Sequence, residues 1–362
     1  MLWTRRAVLT GLAGVSLPAA AEIGRPLPPD GVRVLDRVTE FEVVRLTDPS
    51  YTSFLPLCRG RAFFRKRNAI LYCSDREGSR QAYLMDLKTG VSRRLTAATA
   101  LDGTSLNLLP DERSCCYFDG SSMRRTNLGN GRTREVYRVP EGWERTTGFS
   151  VSGDGIHAFL VEKRNATYRI KQVALVKGGV QTVVESGEPL SFPMPRPKRA
   201  GVLYRRAADA LWLVNYDGQQ NRPMRTAPGR SGPAYWSEDG RTIFYLSIPA
   251  DRRQLIALRE FTPDTNADAL LAPTSQFVDF SPNHDGSVFV GASSSKASPY
   301  VLLLLRTTRR EFTLCEHRAS DPSQVGPVFN PDSQQVLFQS DRDGKPAIYA
   351  IRVDRLVEKT ES

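Results

Sequence analysis

Short apolar runs recur along the whole chain, each followed by a charged turn that holds a glycine. The stretch Ile70-Leu-Tyr-Cys-Ser-Asp-Arg-Glu-Gly-Ser-Arg-Gln-Ala-Tyr-Leu-Met-Asp-Leu87 reads apolar strand, charged turn, apolar strand. It is answered near the other end by Val336-Leu-Phe-Gln-Ser-Asp-Arg-Asp-Gly-Lys-Pro-Ala-Ile-Tyr-Ala-Ile-Arg-Val353. Weaker copies lie between them, about one every 40–50 residues, a period typical of propeller blades. Strand entries recur as Leu109-Pro-Asp-Glu112, Ser152-Gly-Asp-Gly155, Ser237-Glu-Asp-Gly240, Ser281-Pro-Asn-His-Asp-Gly286 and Asn330-Pro-Asp-Ser333. Proline presets φ in such turns and glycine or asparagine takes the left-handed position, so the chain reverses into a hairpin. Strands are predicted after these turns over 114–118, 156–161, 242–246, 287–290 and 335–338. Second strands are predicted over 123–128, 168–173, 211–215, 254–258, 300–305 and 347–353. The blade centred on 202–204 has a degenerate entry at Pro195 and Pro197. The pattern predicts an all-β propeller of about seven blades between Cys58 and Val353, with any ligand at the mouth of the central channel.

A closure device is also predicted. Ser92-Arg-Arg-Leu-Thr96 ends the first full blade, and Glu42-Val-Val-Arg-Leu-Thr47 has nearly the same ending. After Val353 the last blade has little chain left, so 41–47 is expected to supply its outer strand and join the ends of the ring. The expected organisation is a leader over 1–21, an N-terminal segment over 22–57 with the closing strand, the propeller over 58–357, and a charged tail over 358–362. A propeller uses this length as one domain, which overrides the two or three domains that 362 residues would otherwise suggest. Apart from the leader, no apolar stretch is long enough to span a bilayer.

Thr4-Arg5-Arg6-Ala7-Val8-Leu9, an apolar run over 7–17 and Ala19-Ala-Ala21 read as a twin-arginine leader with a cleavage site before Glu22; an ordinary secretory leader is the alternative. Either predicts a periplasmic or secreted protein. The formal charge is +11, and it falls to +9 without Arg5 and Arg6. A basic protein outside the cytoplasm points to an anionic glycan or envelope surface rather than nucleic acid, and no basic-aromatic nucleic-acid motif is present. Scattered solvated charge is the plainer alternative. Five cysteines, two adjacent as Cys115-Cys116, make no disulfide framework and no CxxC motif. Of Cys58, Cys73, Cys115, Cys116 and Cys315, most sit in strand patterns and read as small core residues, with a Cys58–Cys73 bridge as an open possibility.

The blade-specific motifs carry a family resemblance. Leu211-Trp-Leu-Val-Asn-Tyr-Asp-Gly218, Tyr235-Trp-Ser-Glu-Asp-Gly240, Asn283-His-Asp-Gly286, Leu314-Cys-Glu-His317, Val328-Phe-Asn-Pro-Asp332 and Glu135-Val-Tyr-Arg-Val-Pro-Glu-Gly-Trp143 resemble the oligogalacturonate lyases, in the same order along most of the chain. The Tol-type propellers share the blade turns but not this run of signatures. The resemblance implies cleavage of short pectin fragments by β-elimination. A histidine removes the C5 proton, while a divalent metal, typically manganese, holds the uronate carboxylate. The chemistry is sound, since a metal or arginine stabilises the enolate-like charge and a neutral imidazole accepts a proton near neutral pH.

This chain departs from that pattern at the site. Where the family has a glutamine and His-x-His before the last blade, this chain has Asp321, Gln324 and Gly326. Gln276 stands at a third metal histidine, and Gly232-Pro233 near the base. Arg205-Arg206-Ala207 replaces a His-Glu-Gly motif, and Ala210 or Leu211 replaces an arginine. The cofactor is therefore left unassigned: the family's metal ligands are missing, as is its catalytic histidine. Only His157, His284 and His317 exist, in different blades, and they read as surface or structural residues. Asp75, Glu77, Asp341 and Asp343 resemble paired carboxylates, but their Ser-Asp-Arg-x-Gly setting predicts turn formers. Trp143, Trp212 and Trp236 could stack on sugars, although aromatics in propeller strands are usually core.

The expectation is an exported, monomeric propeller that binds an anionic uronate oligosaccharide without a catalytic residue or metal site. Arg205, Arg206, Gln276, Gln324 and Tyr235 are the substrate-binding candidates. Arg205 and Arg206 offer cations that can pair bidentately with a carboxylate, or are solvated loop residues. The alternatives are an active lyase with a non-standard, arginine-assisted site, and a periplasmic protein-interaction scaffold without a glycan site.

Overall fold

The computed structural model describes residues 23–57, 61–176, 178–207, 209–251, 253–274 and 276–360. The expected leader and Cys58 lie outside these residues. The described chain forms seven antiparallel sheets and no α-helix. Each sheet is a blade whose innermost strand lines the axis of a ring. Blade two shows the plan, running Leu101–Leu108, Ser114–Asp119, Ser122–Asn127, Thr133–Arg138 from the axis outward. The all-β, seven-bladed reading of the sequence is borne out.

The reason for the unbroken apolar runs is that the middle strands are buried on both faces. In Ala69–Ser74 all six residues are buried. Ile70 and Tyr72 pack toward blade seven, against Leu337 and Ile348, while Leu71 and Cys73 pack toward blade two, against Leu106 and Cys115. The same division repeats around the ring, so that seven apolar clusters each fill one gap between neighbouring blades.

The N-terminal segment closes the ring. Glu42–Arg45 pairs with Ala347–Arg352 as the fourth strand of blade seven, with Val43 opposite Ile351. The structure adds two strands that the sequence reading lacks. Val32–Leu35 pairs outside Glu42–Arg45, and Pro26–Leu27 pairs with Ser92–Arg94 at the rim of blade one. One segment therefore extends both blades at the seam. Between these strands Asp30 pairs with Arg76 at 2.9 Å.

Antiparallel blades give the ring two distinct faces. One carries the linkers from each outer strand to the next inner strand, together with the turns between second and third strands; we call it the linker face. The other, the turn face, carries the Asp-Gly turns between first and second strands. On the linker face, carboxylates in the second-to-third turns hold incoming linkers. Asp75 accepts from Thr52 N at 2.8 Å, Asp119 from Ala100 N at 2.7 Å, and Asp341 from Ser320 N at 2.8 Å. Asp75 and Asp341 also close their own turns, their carbonyls accepting from Gly78 N at 2.9 Å and Gly344 N at 3.1 Å.

Cys73, Cys115, Cys116 and Cys315 are free thiols, all buried in inter-blade clusters. Burial pushes Cys73 and Cys116 up to about 12, so they are packing residues rather than nucleophiles.

If the seam depends on buried Val43, a charge there should be far worse than one on the neighbouring outer strand. Val43→Asp is expected to cost more than about 3 kcal/mol. Val32→Asp, at a position 42% exposed, should stay within about 0.5 kcal/mol of wild type. Denaturant unfolding of the two variants checks this, and equal losses would contradict it.

Candidate functional site

The channel is shaped by irregular inner strands. In blades two to six the inner strand slips register against its neighbour, between Asp102 and Asn107, Arg145 and Phe149, Ser191 and Met194, Ser231 and Ala234, and Phe277 and Asp279. A bulge of this kind bends the strand and re-aims its side chains. Phe192, within the blade-four bulge, has φ +49°, and its backbone packs where a Cβ on Gly148 would stand. Thr104 and Thr147 are exposed although they sit in innermost strands, so they face the channel.

On the turn face the channel is crossed. Arg65, in the turn after Phe63–Phe64 of blade one, pairs with Glu238 of blade five, and its backbone N–H donates to Glu112 of blade two at 2.6 Å. Blades one and five are not neighbours, so this contact passes over the axis. The linker face, on the opposite side, is where a ligand at the channel mouth is expected.

Four of the five candidate residues lie toward that mouth, but they do not converge as one cluster. Arg205 and Arg206 end strand Gly201–Arg206 and point to opposite faces of blade four, as successive strand residues must. Arg205 donates to the carbonyl of Ser231 at 2.8 Å and to that of Gly232. These are the carbonyls that the blade-five bulge takes out of the ladder. Desolvation pulls the Arg205 pKa down, and nearby Asp209 opposes this. Arg206 pairs with Glu188 at 2.5 Å and lies 4.6 Å from the centre of the Trp212 ring. Gln276 Oε1 accepts from Ser293 Oγ. Gln324 is exposed, and its carbonyl accepts from Gln339 Nε2 at 2.9 Å. Tyr235 lies deeper, on the inner strand Arg230–Trp236, where its hydroxyl donates to Asp279 Oδ1 at 2.9 Å. Asp279 is 4% exposed. Nothing in the local sequence marks it, because its partner is 44 residues away.

The three histidines are dispersed. His157 opens a second strand and His284 sits in a first-to-second turn, both on the turn face. His317 follows the outer strand Arg310–Glu316, on the linker face. It is fully buried, and its hydrogen bonds fix its state. Ala319 N donates to Nδ1 at 3.0 Å, so Nε2 carries the proton and donates to the Ser293 carbonyl at 3.0 Å. The ring is a neutral structural link between blade six and the linker that leaves it rather than a free base.

The divalent metal that the resemblance implies does not fit this donor set. Asp321 is spent as the cap of the 3-10 turn Pro322–Gln324, accepting from Ser323 N at 3.0 Å and from Ser323 Oγ at 2.7 Å. Gly326 offers no side chain, Gln276 is held by Ser293, and Gln324 contributes one neutral amide. Hard divalent cations favour several carboxylate or imidazole donors in one shell. Among the described residues no group of three or more His, Cys, Asp or Glu side chains is placed to hold an ion. At Gly232–Pro233 there is no side chain that can take a proton.

The face nevertheless carries an excess of cations above blades four and five. Arg205, Arg206, Arg225 and Arg230 face Glu188 and Asp209, with Arg230 paired to Asp209 at 3.0 Å and its side chain 67% exposed.

No protein-family model matches the sequence. The oligogalacturonide lyase of Pectobacterium atrosepticum is 25% identical, over 88% of this chain and 95% of that protein. The oligogalacturonate lyase of Dickeya dadantii is 24% identical with the same coverage. A solved oligogalacturonate lyase in complex with manganese matches with a TM-score of 0.87 at 24% identity, covering 92% of this chain and 98% of that one. The chain is thus similar to oligogalacturonate lyases in sequence, and it shares their fold.

His317 supplies a pH test. Burial lowers its pKa from the ordinary 6.5. The unfolded chain then binds a proton that the folded chain refuses, so stability should fall as pH drops below about 6.5. His317→Gln should lose this part of the slope in urea titrations from neutral to mildly acidic pH. Identical slopes in the two proteins would contradict the assignment.

Proposed function

We propose that the linker face of this propeller binds oligosaccharides bearing uronate carboxylates and leaves them uncleaved. The observation that carries the reading is the use to which the lyase positions are put. Asp321 caps a turn, Gln276 is tied to Ser293, and Gly232–Pro233 is a backbone bulge held by Arg205. β-Elimination needs a base at C5 and a positive centre at the carboxylate. The positive centre survives as arginine, whereas the base and the metal ligands do not. Arg206 and Arg230 pair with the ligand carboxylates, Gln324 offers an amide at the rim, and Arg205 keeps the bulge in place. The relatives named as oligogalacturonate lyases support the ligand class. In this reading the protein acts as an exported monomer. No helix among the described residues is long and apolar enough to cross a membrane.

One observation favours a second reading. Tyr235 and Asp279 form a phenol–carboxylate pair on the inner strands, and with an arginine to neutralise the substrate carboxylate they could support a metal-free elimination.

Saturated trigalacturonate separates the two. Calorimetry should give binding heat, absorbance should show no unsaturated uronate product with or without manganese, and Arg206→Ala should weaken binding by about tenfold. A rise in absorbance that Tyr235→Phe abolishes would replace the binding reading with the lyase. Neither heat nor product would overturn both.

A further inference from the structure

Trp236 ends the inner strand of blade five on the turn face, away from the linker face. Its indole N–H donates to the Met194 carbonyl at 3.1 Å, which fixes the plane of the ring. Beside it a groove runs under blade four as two adjoining cavities of about 400 and about 290 Å³, which share Arg196, Gly201 and Asn215 in their walls. The larger is within the size range of small-molecule sites.

The charges of the groove are unbalanced. Arg196 binds Asp264 in a fork, at 3.0 and 3.1 Å, and lies 5.2 Å from the centre of the Trp236 ring. Arg199 reaches the same carboxylate at 2.8 Å through one nitrogen, with its side chain 55% exposed. Arg222 donates only to neutral oxygens, the side chain of Asn266 and the Pro263 carbonyl. Of the three guanidinium groups, Arg196 and Arg199 share the Asp264 carboxylate and Arg222 touches none in these bonds, and Asp217 at the rim of the larger cavity reduces the excess without cancelling it. Asp264 is already held by both arginines, so a second carboxylate would find unused donors on Arg199 and Arg222. A partly exposed indole and the Asn215 amide complete the surface that sugar rings use, an apolar plate with polar groups at its edge.

We infer that this groove is a second carbohydrate site, for a sugar that carries a carboxylate. Arg196 is the structural member, tying blade four to blade five through Asp264 and the Gly240 carbonyl at 2.7 Å. Arg199 and Arg222 hold the ligand carboxylate, and the exposed part of Trp236, whose ring also lies under Arg196 and packs on the core, contacts the sugar. The site stands on residues separate from the linker face, and it can exist whether or not the mouth binds anything.

The test uses galacturonate as probe, galactose as the uncharged control and acetate as the sugar-free control. The Trp236 indole N–H signal in ¹⁵N-labelled full-length protein is assigned by its loss in Trp236→Phe. It should shift with galacturonate and stay in place with galactose or acetate at the same concentration. The Arg199→Ala/Arg222→Ala double variant should need about tenfold more galacturonate for the same shift. Arg206→Ala, on the other face, should leave the titration unchanged, and its effect on trigalacturonate binding reports the mouth separately. An indole signal unmoved by galacturonate would overturn the inference, as would an unchanged titration in the double variant. An equal response to acetate would reduce the groove to an anion site and overturn its assignment to a sugar.

Discussion

Each middle strand in this ring must bury both of its faces, and it can do so only if a neighbouring blade stands on either side. Ile70 and Leu71 are adjacent in the chain and pack into different gaps. A ring with one open seam would leave two sheets with a bare apolar face, so the strand pairing of Glu42–Arg45 with Ala347–Arg352 protects more than the last blade. The added strands Pro26–Leu27 and Val32–Leu35 hold the two sides of the seam with one continuous segment. The large cost expected for a charge at Val43 follows from this geometry, because that side chain belongs to the gap between blades six and seven.

The same constraint decides where chemistry can occur. Inter-blade faces are filled, so free side chains belong to the linkers, the turns and the bulged inner strands. Bulges release backbone groups that need new partners. At blade five that partner is Arg205, whose guanidinium answers Ser231 and Gly232. At blade six a serine, a glutamine and a buried histidine interlock as Gln276, Ser293 and His317. Residues that the sequence resemblance sets at lyase positions thus take part in local hydrogen bonds, with arginines nearby.

The blades were legible in the sequence because their signals are local: a Pro-Asp-Gly-like turn and an apolar run lie within a few residues of each other. The closing strand was legible because the segment 42–47 ends in Arg-Leu-Thr, as 92–96 does. Other features depend on distant partners and left no local mark. The inner strand of blade one consists of two short pieces, Ser53–Phe54 and Phe63–Phe64. The third strand of blade five runs Ala257–Thr262, where the apolar pattern suggested 254–258. Arg205 and Arg206 read as a pair of cations, and only the strand shows that they face apart. The Asp279 partner of Tyr235 and the shared Asp264 of Arg196 and Arg199 come from other strands and turns. The dispersal of the three histidines, by contrast, was legible from their spacing alone.

The proposal that Asp321 and Gln276 serve local structure rather than a metal is tested most directly by manganese itself. In a titration of the purified protein followed by the electron paramagnetic resonance of free aqueous Mn²⁺, the account predicts a free-ion signal that rises from the first addition as it does in buffer. Retention of one equivalent, lost on Gln276→Ala or Asp321→Ala, would show that these residues form a metal site and would contradict the account.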